Sequence, residues 1–112
     1  MEELANQFRN LGHTVDLSFR EHGVVVVKNF EIQVGPHAGI KIDVGIPARD
    51  FPFTPPAGLH LRPILVPNGQ NNVNPSPLGH DWQYWSRRLT EWSLDRSARH
   101  LISYINKVFI NG

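Results

Sequence analysis

The fold class that the sequence predicts is α+β: one domain spanning residues 1–112, built around an antiparallel sheet. Three observations carry that reading. Apolar residues alternate with polar ones in segments broken by Gly and Pro between Val15 and Ile46. A Pro-rich elbow follows from Phe51 to Pro56, and an apolar stripe at helical spacing runs through the last twenty or so residues. At 112 residues the chain has the length of a single domain and needs neither disulfides nor a structural metal to complete a core.

Each element has its own justification. Leu4, Phe8 and Leu11 fall on one helical face, Glu2 and Glu3 lie at the positive end of the helix dipole, and Gly12 is a stop, so residues 2–11 are expected to be helical. Val15, Leu17 and Phe19 alternate with Asp16 and Ser18 as in a half-buried strand, and Glu21-His22-Gly23 supplies a turn. The β-branched run Val24–Val27 continues through Phe30, Ile32 and Val34 as a longer strand, kinked near Asn29 and ended by Gly35-Pro36. Ile40, Ile42, Val44 and Ile46 form a third strand that stops at Pro47, and the tight connection before it favours an antiparallel meander. Leu59 and Leu61 predict a short fourth strand. Residues 63–79, rich in Pro, Asn and Gly, read as a long irregular loop, a kind of segment that usually carries function. The final helix is expected from a Ser93 cap through Leu94, Ala98, Leu101, Ile102, Ile105, Val108 and Phe109, packed on the sheet.

Composition limits the possible functions. A net charge of +1 gives no global attraction to nucleic acid or to an anionic membrane. The charge is unevenly spread: residues 1–56 carry five Lys and Arg against seven Asp and Glu, residues 57–112 six against three. Arg87, Arg88, Arg96 and Arg99 supply most of the basic excess. They are either a solvated helix face or a surface for an acidic partner. The absence of cysteine removes disulfides, thiolate metal sites and thiol nucleophiles. The longest strongly apolar run is too short to span a bilayer, and the first residues lack the pattern of a secretory signal, so a cytoplasmic location is expected.

Three motifs, in this order, resemble those of the ubiquitin-conjugating-enzyme superfamily. Phe30-Glu31-Ile32-Gln33-Val34-Gly35-Pro36 is similar to the family's strand ending in Gly-Pro. Ile46-Pro47 followed by Asp50-Phe51-Pro52-Phe53-Thr54-Pro55-Pro56 is similar to its strand and Tyr-Pro-Phe-x-Pro-Pro elbow, with Phe51 in place of Tyr. Val66-Pro67-Asn68 resembles the His-Pro-Asn that precedes the family's active-site cysteine, and Trp82 or Trp85 stands where the family has a Trp after that cysteine. The pattern is nearest to short bacterial members, which tend to occur with a ubiquitin-like protein, its activating enzyme and a JAB-type peptidase. The resemblance therefore implies a UBC-like fold with an N-terminal helix, a four-stranded meander, a long loop and a C-terminal helix. Where the family has its cysteine, residues 72–79 contain none, and the family's further C-terminal helices have no counterpart before Gly112. In this the chain resembles cysteine-free variants, and the implied function is non-catalytic: binding a ubiquitin-like protein or a conjugation partner through the sheet face and loop 63–80. The alternative is a genuine conjugating enzyme whose nucleophile has been changed from Cys or is Ser76.

The candidate site residues follow. Asn68 occupies the position of the family's oxyanion-stabilising amide, although loops also collect Asn for local turns and left-handed backbone. Ser76 lies near the expected cysteine position and has His80 and Asp81 downstream; adjacent residues are poorly placed to complete a triad. Trp82, Tyr84, Trp85 and Trp92 are the densest aromatic group. One or two of them should fill the gap between loop and helix. An exposed Trp85 beside Arg87 and Arg88 would form a binding anchor. Phe51 and Phe53 are candidate contacts because the corresponding region of the cysteine-free variants helps to hold a peptide. His37, His60 and His80 lack metal-ligand spacing, and neither a metal nor another cofactor is expected. Binding of nucleic acid or membrane is not expected either.

Overall fold

The segment between Thr14 and Pro47 folds into strands that pair in sequence order, but two of them are shorter than expected: the first ends at Asp16, before Leu17 and Phe19, and the second at Glu31, before Ile32 and Val34. In a computed structural model that describes residues 1–89 and 91–110, α1 (Glu2–Asn10) precedes β1 (Thr14–Asp16), β2 (Val24–Glu31), β3 (Lys41–Pro47) and β4 (Gly58–Arg62). Two more strands follow, β5 (Val73–Ser76) and β6 (Gly79–Ser86), before α2 (Ala98–Ile110). The sheet is therefore six-stranded, in the order β1-β2-β3-β4-β6-β5, with every pairing antiparallel. The expectation of four strands is corrected: the second half of the segment read as loop, together with the aromatic group after it, forms a hairpin on the far side of β4. Pro75 is compatible with that strand because β5 is the edge of the sheet, where a missing amide donor breaks no ladder.

Local chemistry sets the element ends. Gly12, at φ 91°, follows α1 and donates its backbone N–H to the Arg9 carbonyl at 3.0 Å. The register of β2 on β3 shifts between Val27 and Phe30, and Asn29 sits there at φ 52°, a left-handed conformation that Asn tolerates. That bulge is the kink expected near Asn29. α2 begins later than expected. A turn at residues 91–94 in which Leu94 donates to the Glu91 carbonyl comes first, and Ser97 then accepts from the His100 N–H at 3.4 Å. Ser97 rather than Ser93 is thus the cap, and Leu94 lies outside the helix, 79% exposed. Gln7 of α1 adds a second cap, its side-chain oxygen accepting from the Ala98 N–H at 2.8 Å.

Both helices cover one face of the sheet. Leu4, Ala5 and Phe8 of α1 and Leu101, Ile105 and Phe109 of α2 bury Val25, Val27, Val44, Ile46, Leu59, Leu61 and Trp85 in the main core. The opposite face carries a smaller cluster, Val24, Val26 and Trp82, capped by Phe19 and Leu78. Adjacent residues of a strand point to opposite faces, which is why Trp82 and Trp85 belong to different clusters. Among the described residues no helix is long and apolar enough to cross a membrane.

Candidate functional site

The elbow is braced from across the chain. Trp92 donates its indole N–H to the Pro52 carbonyl at 2.7 Å, and its ring meets Phe51 edge-on with centroids 6.0 Å apart. Thr54 and Phe53 both donate backbone N–H groups to the Asp50 carbonyl, at 3.3 and 2.7 Å, so this stretch is a tight turn. Phe53 projects from that support 77% exposed. Leu94, two residues beyond Trp92, is the other large apolar side chain left in water to this extent. The indole–carbonyl latch thus joins the two segments that carry the two most exposed large hydrophobics.

The next segment is tied down by a single side chain. Gln83 of β6 is fully buried on the helix side of the sheet. Its side-chain oxygen accepts from the Leu65 N–H at 2.9 Å, the Val66 N–H at 3.3 Å and the Trp85 indole at 3.1 Å. Its amide nitrogen donates to the Val66 carbonyl at 2.9 Å and to the Asn68 side-chain oxygen at 3.0 Å. One buried amide, its own donors and acceptor all engaged, therefore fixes the path of residues 65–68. Asn71 and Asn72 then adopt φ of 49° and 59°, so these two loop asparagines serve the backbone.

The outer sheet face, away from the helices, holds a polar cluster. His60 of β4 and Ser76 of β5 approach to 2.8 Å between Nδ1 and Oγ, both nearly buried, with Tyr84 tilted over the imidazole at 4.8 Å. The Leu78 N–H donates to Ser76 Oγ at 3.1 Å, so the hydroxyl hydrogen is free to donate to Nδ1. Burial, and then the charge of His22, push the His60 pKa down to about 4. The ring is neutral and a weak base at ordinary pH, and no carboxylate among the described residues hydrogen-bonds to it. Beside it, Asp43 accepts from Lys28 Nζ at 3.0 Å, the Asn29 N–H at 3.1 Å and Arg62 at 2.9 and 3.0 Å. Burial alone would raise the Asp43 pKa, but these donors outweigh it and hold the carboxyl below its usual range. Arg62 also lies over Trp82, 4.4 Å from the ring centroid, and reaches Asp81 at 3.8 Å.

Against this geometry the candidate residues divide. Phe53 and Arg88 are exposed, as a contact residue must be. Trp85 is fully buried against Phe109 at 5.4 Å, so it fills the gap between sheet and helix and is not an exposed anchor. Phe51 is half-buried on Trp92 and supports the elbow from within. Arg87 donates to the Asn71 carbonyl at 2.7 Å and lies over Trp85 at 5.3 Å. Asn68 is exposed but engaged by Gln83, and Ser76 is paired with His60 rather than with His80, which is exposed two strand positions from Trp82. The Ser76, His80, Asp81 triad is therefore not assembled. His37 lies against Trp85 and Phe109, and among the described residues no His, Asp or Glu group has the arrangement to hold a metal ion.

Two residues of the site were not legible as such. Gln83 is one polar letter among aromatics, and only the recognition of β6 as a strand, with Gln83 and Trp85 on its inner face, would have marked it. Leu94 continues the apolar helical spacing of α2 on paper, and the Ser97 cap that excludes it competes with an equally plausible serine at position 93. No protein-family profile, curated protein or solved structure matches the chain. What can be stated of its class is the architecture: an α+β domain with a helix before and a helix after an antiparallel sheet.

Proposed function

We propose that the protein is a non-catalytic module similar to ubiquitin-conjugating enzymes, which binds a ubiquitin-like protein or another member of a bacterial conjugation pathway. The observation that carries the reading is the braced elbow. An aromatic side chain that projects 77% exposed from a backbone already ordered by hydrogen bonds is suited to act as a docking anchor. The elbow lies in the stretch whose sequence resembles the family most. The lack of cysteine removes thioester chemistry, and the loop after the elbow is locked by Gln83 rather than opened around a nucleophile. The activating enzyme and a JAB-type peptidase are the further partners this reading implies, and the compartment it implies is the cytoplasm.

The alternative, transfer through Ser76, has one observation in its favour, the 2.8 Å contact with His60. The weak basicity of that ring and the burial of both groups favour a structural role, closing the turn between β5 and β6. Incubation of the chain with ATP, a bacterial ubiquitin-like protein and its activating enzyme separates the two readings. Intact mass should show the unmodified chain. A mass increase of one modifier that is lost with Ser76→Ala would replace binding by catalysis.

A further inference from the structure

On the surface between residues 87–89 and α2 lies a groove of about 290 Å³ whose charge is of one sign. Leu89, Tyr104 and Val108, all buried, form its floor, and the exposed Arg88 and Lys107 with the half-buried Arg87 form its rim. His100 and Ser103 add polar groups between them. None of the three acidic residues of the second half of the chain, Asp81, Glu91 and Asp95, lines it. Among the described residues no carboxylate lies within 4.0 Å of Arg87, Arg88 or Lys107. Arg87 is held in place by the Asn71 and Ser86 carbonyls through one nitrogen, which leaves its other donors free, while the Tyr104 hydroxyl donates to the Arg87 carbonyl and fixes the width of the groove.

We propose that this groove binds an extended acidic peptide segment of a partner protein, with carboxylates on the Arg87, Arg88 and Lys107 rim and an apolar side chain on Leu89 and Val108. His100 to Val108 spans about 12 Å of helix at 1.5 Å per residue, the length of roughly four residues of extended chain. A lone phosphate would use the rim and leave the apolar floor empty. Single-stranded nucleic acid needs aromatic faces to stack on, and those near the groove are buried: Trp85 fully and Tyr104 at 4% exposure. Acidic side chains also match the rim geometrically, since guanidinium groups take carboxylates in a two-pronged fashion. The inference does not depend on the partner being a ubiquitin-like protein, and the groove residues differ from those of the elbow.

A fluorescein-labelled octapeptide alternating Glu and Leu, titrated with the full chain and followed by anisotropy, tests it. The peptide should bind, its Gln-for-Glu counterpart should not, and the double variant Arg88→Glu with Lys107→Glu should weaken binding about tenfold or more. The same charge change off the groove, Arg96→Glu with Arg99→Glu, should leave the affinity within about twofold, and so should Phe53→Ala, which reports on the elbow instead. Absence of binding, equal loss in both double variants, or tighter binding of an oligothymidylate that competes with the peptide would each overturn the proposal.

Discussion

Gly35 shows how a single position can hold two elements together. It adopts φ 82°, and a Cβ placed there would lie 1.6 Å from the Phe109 carbonyl oxygen, inside the last turn of α2. Gly39, four residues on, has a similar φ of 91° but open space around it. Gly39→Ala should therefore cost only the backbone strain, about 1 kcal/mol, whereas Gly35→Ala should cost at least about 2 kcal/mol more because the helix backbone must move. Urea unfolding of the two variants measures the difference. The Gly35-Pro36 pair was visible in the sequence as a strand terminator, but its contact with a helix more than seventy residues away was not, because local patterns carry no information on long-range approach.

His60 makes the second prediction at this scale, and its sign follows from where its pKa moves. Folding lowers it from an ordinary 6.5 to about 4, so between those values the unfolded chain binds a proton that the folded chain does not. Stability contributed by the neutral ring is complete above pH 6.5 and falls as pH drops toward 4, by roughly 2 to 3 kcal/mol. Asp16 and Asp43 have pKa values below 3.8, so their contributions are lost under more acidic conditions. Thermal melts across pH 7 to 4 should show a fall in the wild type that is reduced in His60→Gln; equal falls would mean that another group is responsible.

At the scale of elements, the strands read most plainly from sequence are those with one clean apolar face. β2 and β3 are rich in β-branched residues, so their existence, their pairing and even the Asn29 irregularity could be anticipated, although β2 ends at Glu31, short of the expected Val34. β5 and β6 could not, for physical reasons. β5 is a four-residue edge strand containing Pro75, and β6 carries Gly79, His80 and Asp81 at one end and alternates aromatic with polar side chains because both of its faces are partly covered. β6 pairs with β4 across more than twenty residues, a long-range approach that the local sequence does not announce. Gln83 is the point at which this hairpin controls the loop. Gln83→Leu keeps the volume but leaves the Leu65 and Val66 N–H groups and the Trp85 indole without an acceptor, and should cost about 2 to 4 kcal/mol. Hydrogen exchange at Leu65 and Val66 should accelerate well before that of β2 and β3. Unchanged protection there would show that the loop is held by something other than this amide.

For the molecule as a whole, the division of labour between the two sheet faces is the organising feature. Helices cover one face, and an ion cluster around Asp43 with the His60–Ser76 pair occupies the other. The candidate binding groups lie at the margin, on the elbow and beside α2. The fold class and the elbow could be read from the order of apolar alternation and prolines. Which aromatic would be exposed could not be read, because burial of Trp85 and projection of Phe53 depend on how β6 and residue Trp92 dock, and composition is the same either way. Asp43→Asn provides a test of the outer face. It should leave Lys28 without its carboxylate and Arg62 with only the longer contact to Asp81, and cost about 1 to 3 kcal/mol, a loss that high salt reduces. Binding at the elbow should survive that substitution in any fraction that remains folded.

The most direct test of the proposed binding role is titration calorimetry of the full chain with a bacterial ubiquitin-like protein, run in parallel with Phe53→Ala. Phe53 makes no core contact, so the variant should keep the wild-type melting temperature while its affinity falls about tenfold or more, as for the loss of an exposed aromatic anchor. No heat of binding in the wild type, or equal affinity of the two proteins, would contradict a binding module that docks through its elbow.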